Sequence, residues 1–73
     1  MKEQRIRLIY PPSLVNIPVI HQLIRRFDLT VNIYQAQIDA NQGWLEILVS
    51  GEEPVIENAL RWLREQGIEV INV

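Results

Sequence analysis

The chain has 73 residues, no cysteine and one histidine, which leaves a single domain, residues 1–73, without disulfides, iron–sulfur clusters, cysteine-bound zinc or a histidine-rich metal centre. Its formal charge is −2, from seven basic and nine acidic residues dispersed along the sequence, so there is no basic block to serve as a nucleic-acid footprint. No apolar run is long enough to cross a bilayer, and the opening MKEQRIRL lacks the apolar centre of a signal peptide, which makes the cytoplasm the expected location, without direct membrane insertion.

RIRLIY, residues 5–10, alternates, with Ile6, Leu8 and Tyr10 on one side and Arg5, Arg7 and Ile9 on the other. This is the pattern of a half-buried strand, and Glu3, Arg5 and Arg7 read as its solvated ends and face. Pro11-Pro12 stop it, because two amide donors are missing and two φ angles are fixed. In NIPVIHQLIRRF, Asn16 is placed to cap a helix with Pro18 in its first turn. Ile20, Leu23, Ile24 and Phe27 recur at i, i+3, i+4 and i+7 as its apolar stripe, which leaves His21 on the solvent side. Arg25 and Arg26 close the helix where cations suit the macrodipole.

Residues 29–40 form the second strand, with one irregularity. In VNIYQAQID, apolar residues fall on odd positions at Val31 and Ile33, then on even positions at Ala36 and Ile38. A β-bulge between Ile33 and Ala36 accounts for this change of phase. A tight connection at Asn41-Gln42-Gly43 leads into GWLEILVS, whose Leu45, Ile47 and Val49 face the core while Trp44, Glu46 and Leu48 face away. Gly51-Glu52-Glu53-Pro54 opens a second helix. Ile56, Ala59, Leu60 and Leu63 make its buried stripe, Trp62 pads the seam beside it, and Gly67 lies just past its end. IEVINV closes the chain as a fourth strand, with Ile68 and Val70 as core contacts.

The order strand, helix, strand, strand, helix, strand predicts an α+β, ferredoxin-like βαββαβ sandwich: a four-stranded antiparallel sheet with two helices on one face. The sheet order of that fold, 4-1-3-2, puts the second strand at an edge. The face without helices then carries Arg5, Arg7, Ile9, Trp44, Glu46 and Leu48, with Asn32 and Tyr34 nearby. That is too much apolar area for a surface that only meets water. A core this small supplies roughly 3–5 kcal/mol, so a homo-oligomer, dimer or tetramer, is expected, with Tyr34, Ala36, Trp44 and Leu48 at its interface. Tryptophan suits an interface anchor.

Nothing in the chain assembles a catalytic constellation. Ser13 and Ser50 lack a base, the paired Glu52 and Glu53 are explained by the helix start, and there is no phosphate loop. The expectation is a non-enzymatic protein without a cofactor. An RNA-recognition module of this topology would need a glycine-aromatic motif on the third strand and a basic surround. An acylphosphatase-like enzyme would need a glycine-rich anion loop where this chain has PPSLVN. Neither has support.

RRFDLTVNIYQAQID, the hairpin after it and SGEEPVIENALRWLREQGIEV closely resemble the NIL domain, a family named for an Asn-Ile-Leu stretch in its second strand. The likeness runs from Leu8-Ile9-Tyr10 to Val70. It is carried, in order, by Arg26-Phe27, Asn32-Ile33, Ala36-Gln37-Ile38, Gly51, Ala59 and Trp62-Leu63. The resemblance implies an ACT-type regulatory module, often placed behind the ATPase subunit of methionine-import ABC transporters, that dimerises through its sheets and binds methionine near the dimer interface. Free-standing short versions exist, and this chain looks more like those. Asn32 matches the motif asparagine associated with the ligand pocket, Ile33 matches its neighbour, and Tyr34 stands where the family has leucine. The resemblance therefore implies a self-associating sensor with Asn32, Ile33 and Tyr34 at a site for methionine or a related amino acid. The alternative is an interaction or oligomerisation module that docks onto another protein and takes no metabolite.

Overall fold

Alternation at the start of the chain produces strand β1, Lys2–Tyr10, with Ile6, Leu8 and Tyr10 buried as the sequence requires. The computed structural model describes residues 1–39 and 41–73. Pro12–Leu14 form a single 3₁₀ turn, followed by helix α1, Val19–Arg26, and strand β2, Leu29–Ile38. Strand β3, Gly43–Gly51, helix α2, Glu53–Glu65, and strand β4, Glu69–Asn72, complete the order. The sheet runs β2-β3-β1-β4 with every adjacent pair antiparallel. This is the ferredoxin-like order that the sequence predicts, with β2 and β4 at the edges.

One apolar cluster lies between the sheet and both helices. It joins Ile6, Leu8, Ile47 and Val49 to Val19, Leu23, Ile56 and Leu63. The second helix follows its predicted stripe, burying Ile56, Ala59, Leu60 and Leu63. It ends in a Schellman motif: the Ile68 amide donates to the Leu63 carbonyl at 3.2 Å and the Gly67 amide to Arg64 at 3.0 Å. Gly67 has a φ of +98°, a left-handed value that glycine reaches without steric cost. The turn feeds buried Ile68 straight back into the core.

Helix α1 departs from its predicted start. Asn16 is not its cap: the helix begins at Val19 with Pro18 in the capping position and no side-chain cap bond. The 3₁₀ turn and the 3.0 Å bond from the Ile17 amide to the Leu14 carbonyl hold the preceding residues in a separate turn. Of the predicted stripe, Leu23 is buried and Ile20 and Phe27 pack against the core, while Val19 joins them and Ile24 is left 47% exposed. Phe27 already has extended backbone, and its ring meets Trp62 edge-on at 6.0 Å between centroids, which puts Trp62 in the seam between the helices.

The predicted bulge is present. Ile33 pairs with Ile47 and Gln35 with Glu46, so Tyr34 is the extra residue of β2. Strand β2 stops at Ile38, short of the expected Ala40, which lies outside the described residues. Asp39 begins the turn instead, and its Oδ1 accepts from the amides of Asn41 at 2.8 Å and Gln42 at 2.9 Å. This is the side-chain mimic of a backbone turn that aspartate makes readily. No helix among the described residues is long and apolar enough to cross a membrane.

Candidate functional site

Away from the helices, the strand registers arrange the open face in rows. Asn32, Leu48 and Arg5 form one row, and Gln35, Glu46, Arg7 and Ile71 the next. Gln37, Trp44, Ile9 and Glu69 form the third. Tyr34 and Gln35 both lie opposite Glu46, the two-against-one arrangement of a bulge.

The centre of this face is a bridged cluster. Arg5 Nη2 donates to Glu46 Oε2 at 2.9 Å, and Arg7 Nη2 to Glu46 Oε1 at 3.2 Å. The Arg5 guanidinium carbon sits 4.4 Å from the centroid of the Tyr34 ring, and that of Arg7 4.8 Å from Trp44. An unbroken chain of contacts thus runs Tyr34, Arg5, Glu46, Arg7, Trp44. Glu46 is only 9% exposed although it faces outward, and carboxylates reach such burial when they are paired. Loss of water pushes the Glu46 carboxyl up, but the hydrogen bonds and charges of Arg5 and Arg7 outweigh that effect and hold it below the usual 4.5. The Nε of Arg7 is buried without a hydrogen-bond acceptor among the described residues.

Sequence reasoning took Arg5 and Arg7 for solvated strand residues and missed this cluster. Part of the signal was available, since arginines two apart on β1 share the outward face with Glu46 of β3, but which of them lie opposite depends on the register. What was lacking is the bulge geometry that brings Tyr34 over Arg5.

The residues expected at the site divide between two surfaces. Asn32 and Tyr34 share the open face with Trp44 and Leu48. Ile33 and Ala36 pair with the core residues Ile47 and Leu45 and therefore point to the helix side. They are not covered there, because α1 is only eight residues long. Ile33 is 55% exposed and Ile38, on the same side, 56%. The Asn32 amide is exposed and makes no side-chain hydrogen bond among the described residues. Two shallow depressions lie elsewhere. One of about 300 Å³ is bordered by Tyr10, Pro12, Gln42 and Glu69; the other, of about 140 Å³, lies between Asp28, Thr30, Ser50 and Glu52. Asn32, Ile33 and Tyr34 line neither.

No group of three potential metal-ligating side chains occurs among the described residues. His21 is exposed on α1, and the Ser50 hydroxyl donates to Glu3 at 3.4 Å on the surface. Burial pushes the Tyr10 phenol up to about 12.

The fold and this face can now be set beside known proteins. The family model described as the NIL domain matches residues 4–71. The chain belongs to the NIL domain family. Its NIL domain is 41% identical over 73 residues to the methionine import ATP-binding protein MetN of Ralstonia nicotianae, covering 94% of this chain and 21% of that protein. Against the methionine import ATP-binding protein MetN 1 of Paraburkholderia xenovorans it is 41% identical over 69 residues, covering 89% of this chain and 20% of the relative. The chain thus spans about one-fifth of the length of these curated relatives. The NIL domain also superposes on the crystal structure of the C-terminal domain of an ABC transporter ATP-binding protein from Enterococcus faecalis. The TM-score is 0.84 at 26% identity, over 96% of this chain and 82% of that one.

Proposed function

We propose that this NIL domain is a non-enzymatic regulatory module that self-associates and binds methionine or a related amino acid where two copies meet, beside Asn32, Ile33 and Tyr34. One observation carries the reading: these residues are exposed at the bulge of an edge strand and line neither of the two depressions described above. A small ligand needs walls on several sides, so a site here is completed by a second chain laid along β2. Exposed Ile33 and Ile38 give that second chain an apolar strip to cover. The unpaired backbone edge of β2 supplies hydrogen bonds for the same contact. Asn32 has donor and acceptor capacity and no side-chain hydrogen bond among the described residues, as a residue meeting a carboxylate or an ammonium requires. The amino-acid class comes from the relatives, which are named as methionine import proteins.

The test is an equilibrium titration with methionine of the wild type and of Asn32→Ala, alongside sedimentation equilibrium. Saturable binding by the wild type, weakened by Asn32→Ala, with a dimer or larger species, is the expected result. A monomer showing no heat or shift change at millimolar methionine would remove the proposal.

A second reading is favoured by the stacking of Arg5 on Tyr34 and of Arg7 on Trp44. It makes the domain a protein-docking or oligomerisation module without a metabolite, in which these aromatics are contact anchors. Oligomerisation that is indifferent to methionine selects it.

A further inference from the structure

We infer that the open face carries a carboxylate-binding site centred on Arg5, and that a ligand is recognised there by its carboxylate and not by its amino group. This rests on the amino-acid reading above and supplies the charged contact which that reading leaves open.

Charge balance is the first argument. The bridged cluster contains two guanidinium groups and one carboxylate and so carries one net positive charge; Glu3 and Glu69, further along the same face, form no ion pair with either arginine among the described residues. Glu46 has both oxygens engaged, and its side chain is only 12% exposed. With one guanidinium bond on each oxygen and little of the side chain open to water, Glu46 presents little acceptor surface to an incoming ammonium. What the Arg5–Glu46–Arg7 cluster lacks is a second anion.

Geometry picks Arg5 over Arg7. Each arginine reaches Glu46 through a single terminal nitrogen, and a guanidinium has five N–H donors in a planar fork. The Nε of Arg7 is buried, which closes that edge of its fork. The Arg5 side chain is 49% exposed, and its Nε and Nη1 make no hydrogen bond to another side chain of the described residues. Tyr34 lies against the flat face of the Arg5 guanidinium at 4.4 Å, holding the plane so that little rotamer freedom remains to be lost on binding. A planar, oriented fork with a free edge matches a carboxylate in two parallel hydrogen bonds.

The surroundings fit the rest of an apolar amino acid. Leu48 lies between Arg5 and Asn32 in the same row and is half-buried. The Arg5 and Asn32 backbones are two strand spacings apart, about 10 Å, with the apolar Leu48 between them. A ligand anchored at Arg5 would lay its side chain across Leu48 towards Asn32.

Three ligands separate the two ends of the molecule: methionine, N-acetylmethionine and methioninamide, titrated into ¹⁵N-labelled wild-type protein and followed by amide shifts and calorimetry. Methionine and N-acetylmethionine should bind within about threefold of each other, and methioninamide at least about tenfold more weakly. Arg5→Gln should weaken both carboxylates by at least about tenfold and leave the amide unchanged. Arg5→Lys keeps the charge and loses the fork, so its affinity falls between the two; it also serves if Arg5→Gln folds poorly. Methioninamide binding as tightly as methionine, or a folded Arg5→Gln that binds methionine like the wild type, overturns the inference while the amino-acid reading stands. No saturable response to any of the three removes both.

Discussion

Replacing Ile33 and Ile38 together with threonine should separate association from folding. The two side chains are 55% and 56% exposed on the helix side of the edge strand, so folding covers only about half of each. Full burial of an isoleucine contributes roughly 1.5–3 kcal/mol, and about 1 kcal/mol per side chain is therefore withheld until another surface covers it. A two-fold symmetric pair along β2 covers four such side chains. Threonine forfeits most of that, ~3–4 kcal/mol, which is a loss of affinity of about two to three orders of magnitude. Threonine is also β-branched, so the strand keeps its preference for extended backbone. Thermal unfolding of the dilute monomer should move by no more than a few degrees. Sedimentation equilibrium of both proteins over a wide concentration range reads the effect. A double variant that associates within about threefold of the wild type would refute the assignment of β2 as the contact.

Four further outcomes follow from the same coordinates. Leu63 is fully buried, so Leu63→Ala should cost about 2–5 kcal/mol, comparable with the whole stability of so small a core, and circular dichroism should show a largely unfolded chain at room temperature. At Gly67 an added Cβ meets only Leu14 Cδ1 at 3.7 Å, so Gly67→Ala loses about 1–2 kcal/mol through backbone strain alone, and a synthetic D-alanine at that position restores the melting temperature. The folded pKa of Glu46 lies below its ordinary 4.5, so its contribution is complete above that value and is lost as pH falls through the lowered one. Glu46→Gln should flatten that part of the acid-unfolding curve, and an unchanged slope would show that the cluster is not coupled to folding. Tyr10 titrates near 12 when folded against 10.0 when exposed, so stability should decline between those two pH values, and Tyr10→Phe should remove the decline.

Most of the architecture was legible because periodicity and burial agree. Ile6-Leu8-Tyr10, Leu45-Ile47-Val49 and the stripe of α2 each state one face without ambiguity, and the buried residues are those. Helix α1 was misread at its start because Asn16 and Pro18 satisfy the chemistry of a cap and first turn, while an upstream 3₁₀ turn competes for the same backbone. The candidate site was legible only in part. Asn32 and Tyr34 could be placed at an irregular edge from the change of phase alone. The Arg5–Glu46–Arg7 bridge could not, since it depends on which residues of two distant strands are paired, and charge patterns along one strand do not carry that. Alternation alone sets Asn32 and Ile33 on opposite faces; that α1 leaves Ile33 uncovered needed the structure.

If Tyr34 is struck from the sequence, what remains from Val31 to Ile38 reads Val-Asn-Ile-Gln-Ala-Gln-Ile, an unbroken alternation. The strand therefore needs seven of its eight residues there for the ladder, and the eighth answers to no structural demand from the core. Position 34 is a free variable of the fold. Exchanging the side chain at that single point should retune what the sheet surface accepts while the melting temperature barely registers the change. Selection could thus have altered the selectivity of such a domain one codon at a time.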